Sequence, residues 1–225
     1  YRIAAYALGH KHKMHPYILP GKELRQIKAL MAARERYIKI GVQLKNSLKA
    51  NNILHQTVDV SILIREELRQ IRAMEKSIQL VEKQMSELIK SSQELEKSYQ
   101  KIVRIIGVGS ITAMKCIVET DNFLKFTNAR KFSCHCGLAP FPYQSGTSVR
   151  GRSKTHYLSN KSLKSILFKA ACSAIQHDPQ LKLYYHRKRD EGKHKLSVLN
   201  AVANKLVLRI FAVVKREEPF VKLAA

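Results

Sequence analysis

The chain has 225 residues and a mass of 25.7 kDa, enough for one large domain or two small ones to bury a core unaided, which excludes a disulfide-stapled miniprotein. Hydrophobic residues make up 45%, and no apolar run approaches the roughly 18 residues of a membrane-spanning helix, so a soluble globular protein is expected. Forty-one Lys and Arg against 17 Asp and Glu leave a net charge of +24, an excess that repels itself unless a polyanion neutralises it, and nucleic acid is the leading partner. No secretory leader is read, so the four cysteines are expected in a reducing cytoplasm, as small apolar fillers rather than bridges.

At the N-terminal end, His10, His12 and His15 interleave with Lys11 and Lys13, which reads as a basic loop more readily than a metal site. Pro20-Gly21 punctuates the chain, and from Glu23 an amphipathic helix is predicted with Leu24, Ile27, Leu30, Met31, Ile38, Val42, Leu44 and Leu48 on its apolar face. The polar link from Asn51 to Asp59 suits an αα-hairpin or a bend, and a parallel pairing of two chains is equally open. Beyond it, Ile64, Leu68, Ile71, Met74, Ile78, Val81, Met85, Leu88, Ser92, Leu95, Tyr99 and Ile102 recur at steps of three or four, with Ser92 the only polar member. This seam predicts one long helix over 61–104 packed on a partner, either within its own domain or as a coiled coil with a second copy. Its intervening Glu, Lys and Arg residues mix signs as solvated flanks do. The charge divides accordingly: +8 over 1–60, +2 over 61–104 and +14 over 105–225. Strand signals are sparse; the segment from Cys134 to Val149 reads as turn-rich, and helical pattern resumes over 160–176 and 197–214. The fold class is mainly α.

The sharpest local motif is IIGVGSITA, residues 105–113. Two glycines around one apolar residue allow a tight reversal between helices and expose the amides of the next helix's first turn, which can hold a phosphate. In this helix-hairpin-helix-like arrangement Gly107, Gly109, Ser110, Thr112 and Lys115 are candidate nucleic-acid contacts; the plain alternative is a helix-helix corner. Between Asp121 and Asp178 lie fifty-six residues without a carboxylate and with nine cations: Lys125, Arg130, Lys131, Arg150, Arg152, Lys154, Lys161, Lys164 and Lys169. Such a block attracts phosphate by releasing counterions. Inside it, YQSGTSVRGRSK (143–154) sets serines on a glycine-bearing turn beside Arg150, Arg152 and Lys154, whose charge would stabilise an attacked phosphate, although Ser-Gly-Thr-Ser by itself is most often just a turn. Cys134-His135-Cys136 lacks zinc-site spacing, Tyr184-Tyr185 before His186-Arg187-Lys188-Arg189 suits aromatic packing better than nucleophilic work, and no converging carboxylates suggest a two-metal site. No metal ligands are assigned.

The succession IIGVGSITA, GLAPFPYQSGTSVRGRSK (Gly137–Lys154), SNKSLKSILFKAACSAIQHDP (Ser159–Pro179), YYHRKRDEGK (Tyr184–Lys193) and NAVANKLVLRIFAVVK (Asn200–Lys215) resembles the C-terminal domain of insertion-sequence transposases of the one-ten group over residues 102–220. RIAAYA (Arg2–Ala7) and YILPGKEL (Tyr17–Leu24) are similar to the tail of that family's RuvC-like domain and the start of its connecting coiled coil. The resemblance implies three parts: 1–20 as the RuvC-like tail, 21–104 as a helical hairpin or coiled coil that mediates homo-oligomers, and 105–220 as the transposase domain. It implies Ser145 as the nucleophile that links covalently to DNA, with Ser148 as fallback, and Arg150, Arg152, Lys154 and Lys161 near phosphates. It further implies a structured guide RNA that specifies target and donor DNA, and Mg²⁺ held by acidic residues of the RuvC-like half. This chain, beginning at Tyr1, would hold the serine half, lack the metal half and be inactive alone, in the prokaryotic cytoplasm. The alternative is a non-catalytic helix-hairpin-helix module that binds nucleic acid and dimerises.

Overall fold

A computed structural model describes residues 1–13, 19–126 and 128–216. His15 lies outside them, as do the side chains of Arg150, Arg152 and Lys154. The fold is mainly α: among the described residues nine α-helices and one 3₁₀ turn (Lys11–Lys13) accompany one two-stranded hairpin.

A short helix α1 (Arg2–Gly9) buries none of its residues. Helix α2 (Lys22–Leu54) then runs unbroken for 33 residues and turns back into α3 (Ser61–Ser91), so the two form an antiparallel hairpin within one chain. The turn is tied locally: the Ser61 N–H donates to Asp59 Oδ1 (3.0 Å) and the Val60 N–H to His55 Nδ1 (3.3 Å). At its base Leu24, Ile27 and Met31 of α2 and Val81, Met85 and Ile89 of α3 join the main core. Towards its tip the hairpin is thin, and polar pairs hold it: Arg34 with Glu82 (2.6 Å), Lys45 with Glu75 (2.9 Å), and Ser47 and Asn51 with Glu67.

The helix expected over 61–104 breaks at Ser92, which is extended (φ −115°, ψ 115°) and starts α4 (Gln93–Val103). The break falls at the one polar position of the seam. Serine competes for backbone hydrogen bonds, and the Ser91 hydroxyl takes up the Leu88 carbonyl there (2.9 Å), so the ladder is interrupted cheaply. Past the break the seam turns inward: Leu95 and Ile102 are buried, and α4 packs on α5 (Ser110–Glu119) and α9 (Lys195–Lys215).

Three consecutive left-handed residues, Asp121, Asn122 and Phe123, carry the chain out of α5, and Phe123 meets Phe211 edge-on at 5.0 Å. Helix α6 (Ala129–His135) leads to β1 (Phe141–Ser145) and β2 (Val149–Lys154), an antiparallel pair within the segment expected to be turn-rich. Helices α7 (Lys161–His177) and α8 (Pro179–Asp190) follow, with Asp178 at the corner. Helix α9 alone among the described residues is long and apolar enough to cross a membrane, a run the composition did not lead us to expect. Its apolar face, from Val198 to Val213, is buried against α4, α6, α7 and α8, so it is the central core helix.

Candidate nucleic-acid interface

Gly107 takes φ +89°, so the turn after α4 does require a left-handed residue. A Cβ there would stand 2.6 Å from Ala174 Cβ and 2.8 Å from the Ala170 carbonyl oxygen. The glycine therefore serves close approach of the turn to α7, which differs from the expected phosphate contact. Gly109 has φ −81° and open space around it, so its freedom is not needed; it is exposed at the N-cap of α5. No side chain caps this helix, and the amides before the Ala113 N–H, which donates to the Gly109 carbonyl at 3.0 Å, have no helical partner. Ser110 is exposed, with its hydroxyl directed to Tyr99. Burial pushes the Tyr99 phenol above its ordinary range and the Glu96 charge adds to this, while the Ser110 hydrogen bond opposes it.

Thr112 and Lys115 are buried, and the Lys115 ammonium lies 2.8 Å from Glu35 and 3.3 Å from Glu119. Its charge is thus committed inside the protein instead of being offered to a phosphate. Glu35 also accepts the Ser162 hydroxyl (2.7 Å), so one carboxylate of α2 ties together α5 and α7. Burial opposes ionisation of Glu35, but hydrogen bonds from Lys115 and Ser162, with the charges of Lys115 and Lys39, outweigh it and hold the carboxyl below its ordinary range.

These three helices enclose a cleft of about 410 Å³ whose walls include Arg34, Lys39, Lys115, Lys161 and Lys169. Lys161 follows Asn160, which caps α7 by accepting the Leu163 N–H (3.0 Å). Two predicted residues, Lys115 and Lys161, are thereby brought to one cleft, with the exposed N-terminal turn of α5 at its edge through Ile111. Sequence reasoning missed Arg34, Glu35 and Lys39, whose place depends on the tertiary docking of α2.

Ser145 closes β1 opposite Val149, and a three-residue loop, Gly146-Thr147-Ser148, joins the strands. Gly146 sits at φ +56° with nothing near its Cβ position, so backbone conformation alone requires glycine there. Ser145 and Ser148 are both exposed, and among the described residues no hydrogen-bond partner holds either hydroxyl. The strands pair with each other, not with a helix, so this is an arm. Its base is clamped: the Asn160 N–H donates to the His135 carbonyl (2.8 Å), the Asn200 side chain donates to the Leu138 carbonyl (2.6 Å), and Gly137 (φ +67°) lies against Ser159. Arg150, Arg152 and Lys154 belong to β2, with their side chains outside those described.

Residues 99–186 match the transposase IS116/IS110/IS902 family. The matched stretch runs from within α4 to within α8 and takes in the glycine turn, the clamped arm and α7. The pilin gene-inverting protein of Moraxella bovis is 29% identical over 122 residues, 54% of this chain and 38% of that protein. The insertion element IS110 43.6 kDa protein of Streptomyces coelicolor is 31% identical over 109 residues, 48% and 27% of the two chains. The insertion element IS900 42 kDa protein of Mycobacterium paratuberculosis is 28% identical over 115 residues, 51% and 29%. The match thus spans between about a quarter and two fifths of these relatives' own length.

Burial pushes the Cys116 thiol up to about 12 and raises Cys136 further; all four cysteines are free. Among the described residues no three His, Cys, Asp or Glu side chains gather as a metal site. Tyr184 carries Lys205 (4.5 Å) and Arg187 (5.7 Å) over its ring, a packing role.

Proposed function

We propose that this chain is the serine-bearing part of a DNA transposase or recombinase and that Ser145 is the nucleophile of strand cleavage and rejoining. The observation that carries this is the arm: a clamped hairpin, inside the family-matched stretch, that holds an exposed serine at its end with basic residues on the returning strand. In the step, the Ser145 hydroxyl oxygen bonds to phosphorus, one bridging P–O bond of DNA breaks, and the serine proton goes to the departing DNA hydroxyl. One phosphodiester becomes another, so the reverse attack rejoins strands without an external energy source.

The cleft between α2, α5 and α7 would grip the phosphate backbone while the arm reaches the scissile position. DNA and a structured guide RNA are the proposed partners, and the exposed apolar residues along the hairpin, Ile40, Val42, Ile53, Ile62 and Leu80, support assembly of like chains through it. Magnesium, implied by the resemblance, finds no fitting carboxylate cluster among the described residues, and no step here passes through it.

The test uses the polypeptide that carries this chain together with a RuvC-like half. Ser145→Ala should abolish covalent protein–DNA adducts on a denaturing gel and leave DNA affinity within about twofold. Adducts that persist in this variant would reject the assignment, and binding without adducts in the parent protein would favour the non-catalytic module.

A further inference from the structure

The near-zero charge of 61–104 conceals a segregation along α3. Three of its five acids, Glu67, Glu75 and Glu82, turn toward α2, where they bond Ser47 and Asn51, Lys45, and Arg34. Its six cations, Arg65, Arg69, Arg72, Lys76, Lys83 and Lys90, are all exposed. At 100° per residue they fall within an arc of about 60°, roughly opposite the seam of Ile71, Val81, Met85 and Ile89. Arg69 bonds Glu66 (2.9 Å); among the described residues the other five have no ion-pair partner, and exposed Glu87, between Lys83 and Lys90, is the one acid that lies on the arc itself. At about 1.5 Å per residue the stripe runs roughly 38 Å, close to one turn of a nucleic-acid duplex. Near the hairpin tip its first four members line an open groove of about 760 Å³ together with Asn52 and His55.

We infer that this outer face of α3 is a second nucleic-acid site, which takes the phosphate backbone of a duplex along the stripe. It rests on the reading that the chain acts on nucleic acid but uses none of the residues of the cleft or the arm. Charge complementarity selects the occupant: guanidinium and ammonium groups at repeated steps of three, four and seven match a linear polyanion, and arginine's fork suits phosphate oxygens. Their contribution is counterion release, so it follows salt steeply and ignores base sequence. The stripe is independent of the core, because the seam lies on the other side of the helix.

The experiment compares the whole chain with a variant that combines Arg65→Gln, Arg72→Gln, Lys76→Gln and Lys83→Gln, glutamine being a comparable helix former. A control of equal net charge carries Lys22→Gln, Arg25→Gln, Lys28→Gln and Arg36→Gln on α2. Binding to RNA and DNA duplexes of about 20 base pairs is followed by fluorescence anisotropy across a salt series, with helicity checked by circular dichroism. The stripe variant should bind at least tenfold more weakly at low salt, and the slope of log K against log salt should fall by up to about 3.6, at roughly 0.9 for each of the four lost contacts. A larger loss on one duplex than on the other names RNA or DNA as the occupant. Equal losses in stripe variant and control, or displacement of the duplex by poly-glutamate at equal charge, would overturn the inference while leaving the proposed function standing. Absence of duplex binding by the parent chain would overturn both.

Discussion

Replacing Gly107 by alanine separates packing from phosphate contact at the turn after α4. The new methyl would meet Ala174 Cβ at 2.6 Å, the Ala174 nitrogen at 2.7 Å and the Ala170 oxygen at 2.8 Å, two of which are backbone atoms that cannot rotate away. Overpacking of this kind costs about 1–3 kcal/mol. The left-handed backbone at φ +89° adds about 1 kcal/mol for any residue with a Cβ. The expected loss is therefore about 2–4 kcal/mol, or a fall in Tm of roughly 5–15 °C for a chain of this size. Thermal unfolding followed by circular dichroism measures it, with Gly109→Ala as the control. That position has an ordinary φ and open surroundings, so its loss should stay below about 1 kcal/mol. Equal melting temperatures for the two variants would refute the packing argument, and a Gly107→Ala protein that melts normally yet binds DNA poorly would return this glycine to the phosphate.

Other outcomes follow from the same geometry. Asp178 caps α8 through the Leu181 N–H (3.0 Å) and pairs with Arg209 while nearly fully buried, so Asp178→Ala should cost about 2 kcal/mol by urea unfolding. Glu35 has a depressed pKa, so its contribution is complete above its ordinary value of 4.5 and is lost as pH falls through the lower folded value. Stability of the wild type should thus drop more steeply in that acid range than that of Glu35→Gln, which a urea series at pH 3 to 6 would show. A thiol reagent at pH 8 should label exposed Cys172 first and reach Cys116 and Cys136 only on unfolding, as mass spectrometry of timed samples would reveal.

Much of the fold was legible because it repeats locally. The seam from Ile64 to Ile102 and the faces over 160–176 and 197–214 depend on spacings of three and four, which the sequence displays directly. Ser92 shows the limit: one polar residue in a seam is compatible with a continuous helix, and only packing of Leu95 and Ile102 into a different layer turns it into a break. The arm was hidden because its short strands carry Pro142, Gly151 and several polar residues, and pair only with each other. At the cleft, Lys161 lay in plain view, whereas Lys115 changed role because Glu35 comes from 80 residues away. Similarly, the mixed signs of α3 read as solvated flanks, because only the docking of α2 draws Glu67, Glu75 and Glu82 inward and leaves the cations outside.

The position of the covalent bond between protein and DNA identifies the nucleophile directly. Adducts formed with cleavable DNA can be digested with nuclease and trypsin, and the peptide from Phe132 to Arg150 sequenced by mass spectrometry. A residual nucleotide phosphate on Ser145 is the predicted result. The same mass on Ser148, Ser133 or Tyr143, or an adduct on a peptide elsewhere in the chain, would contradict it.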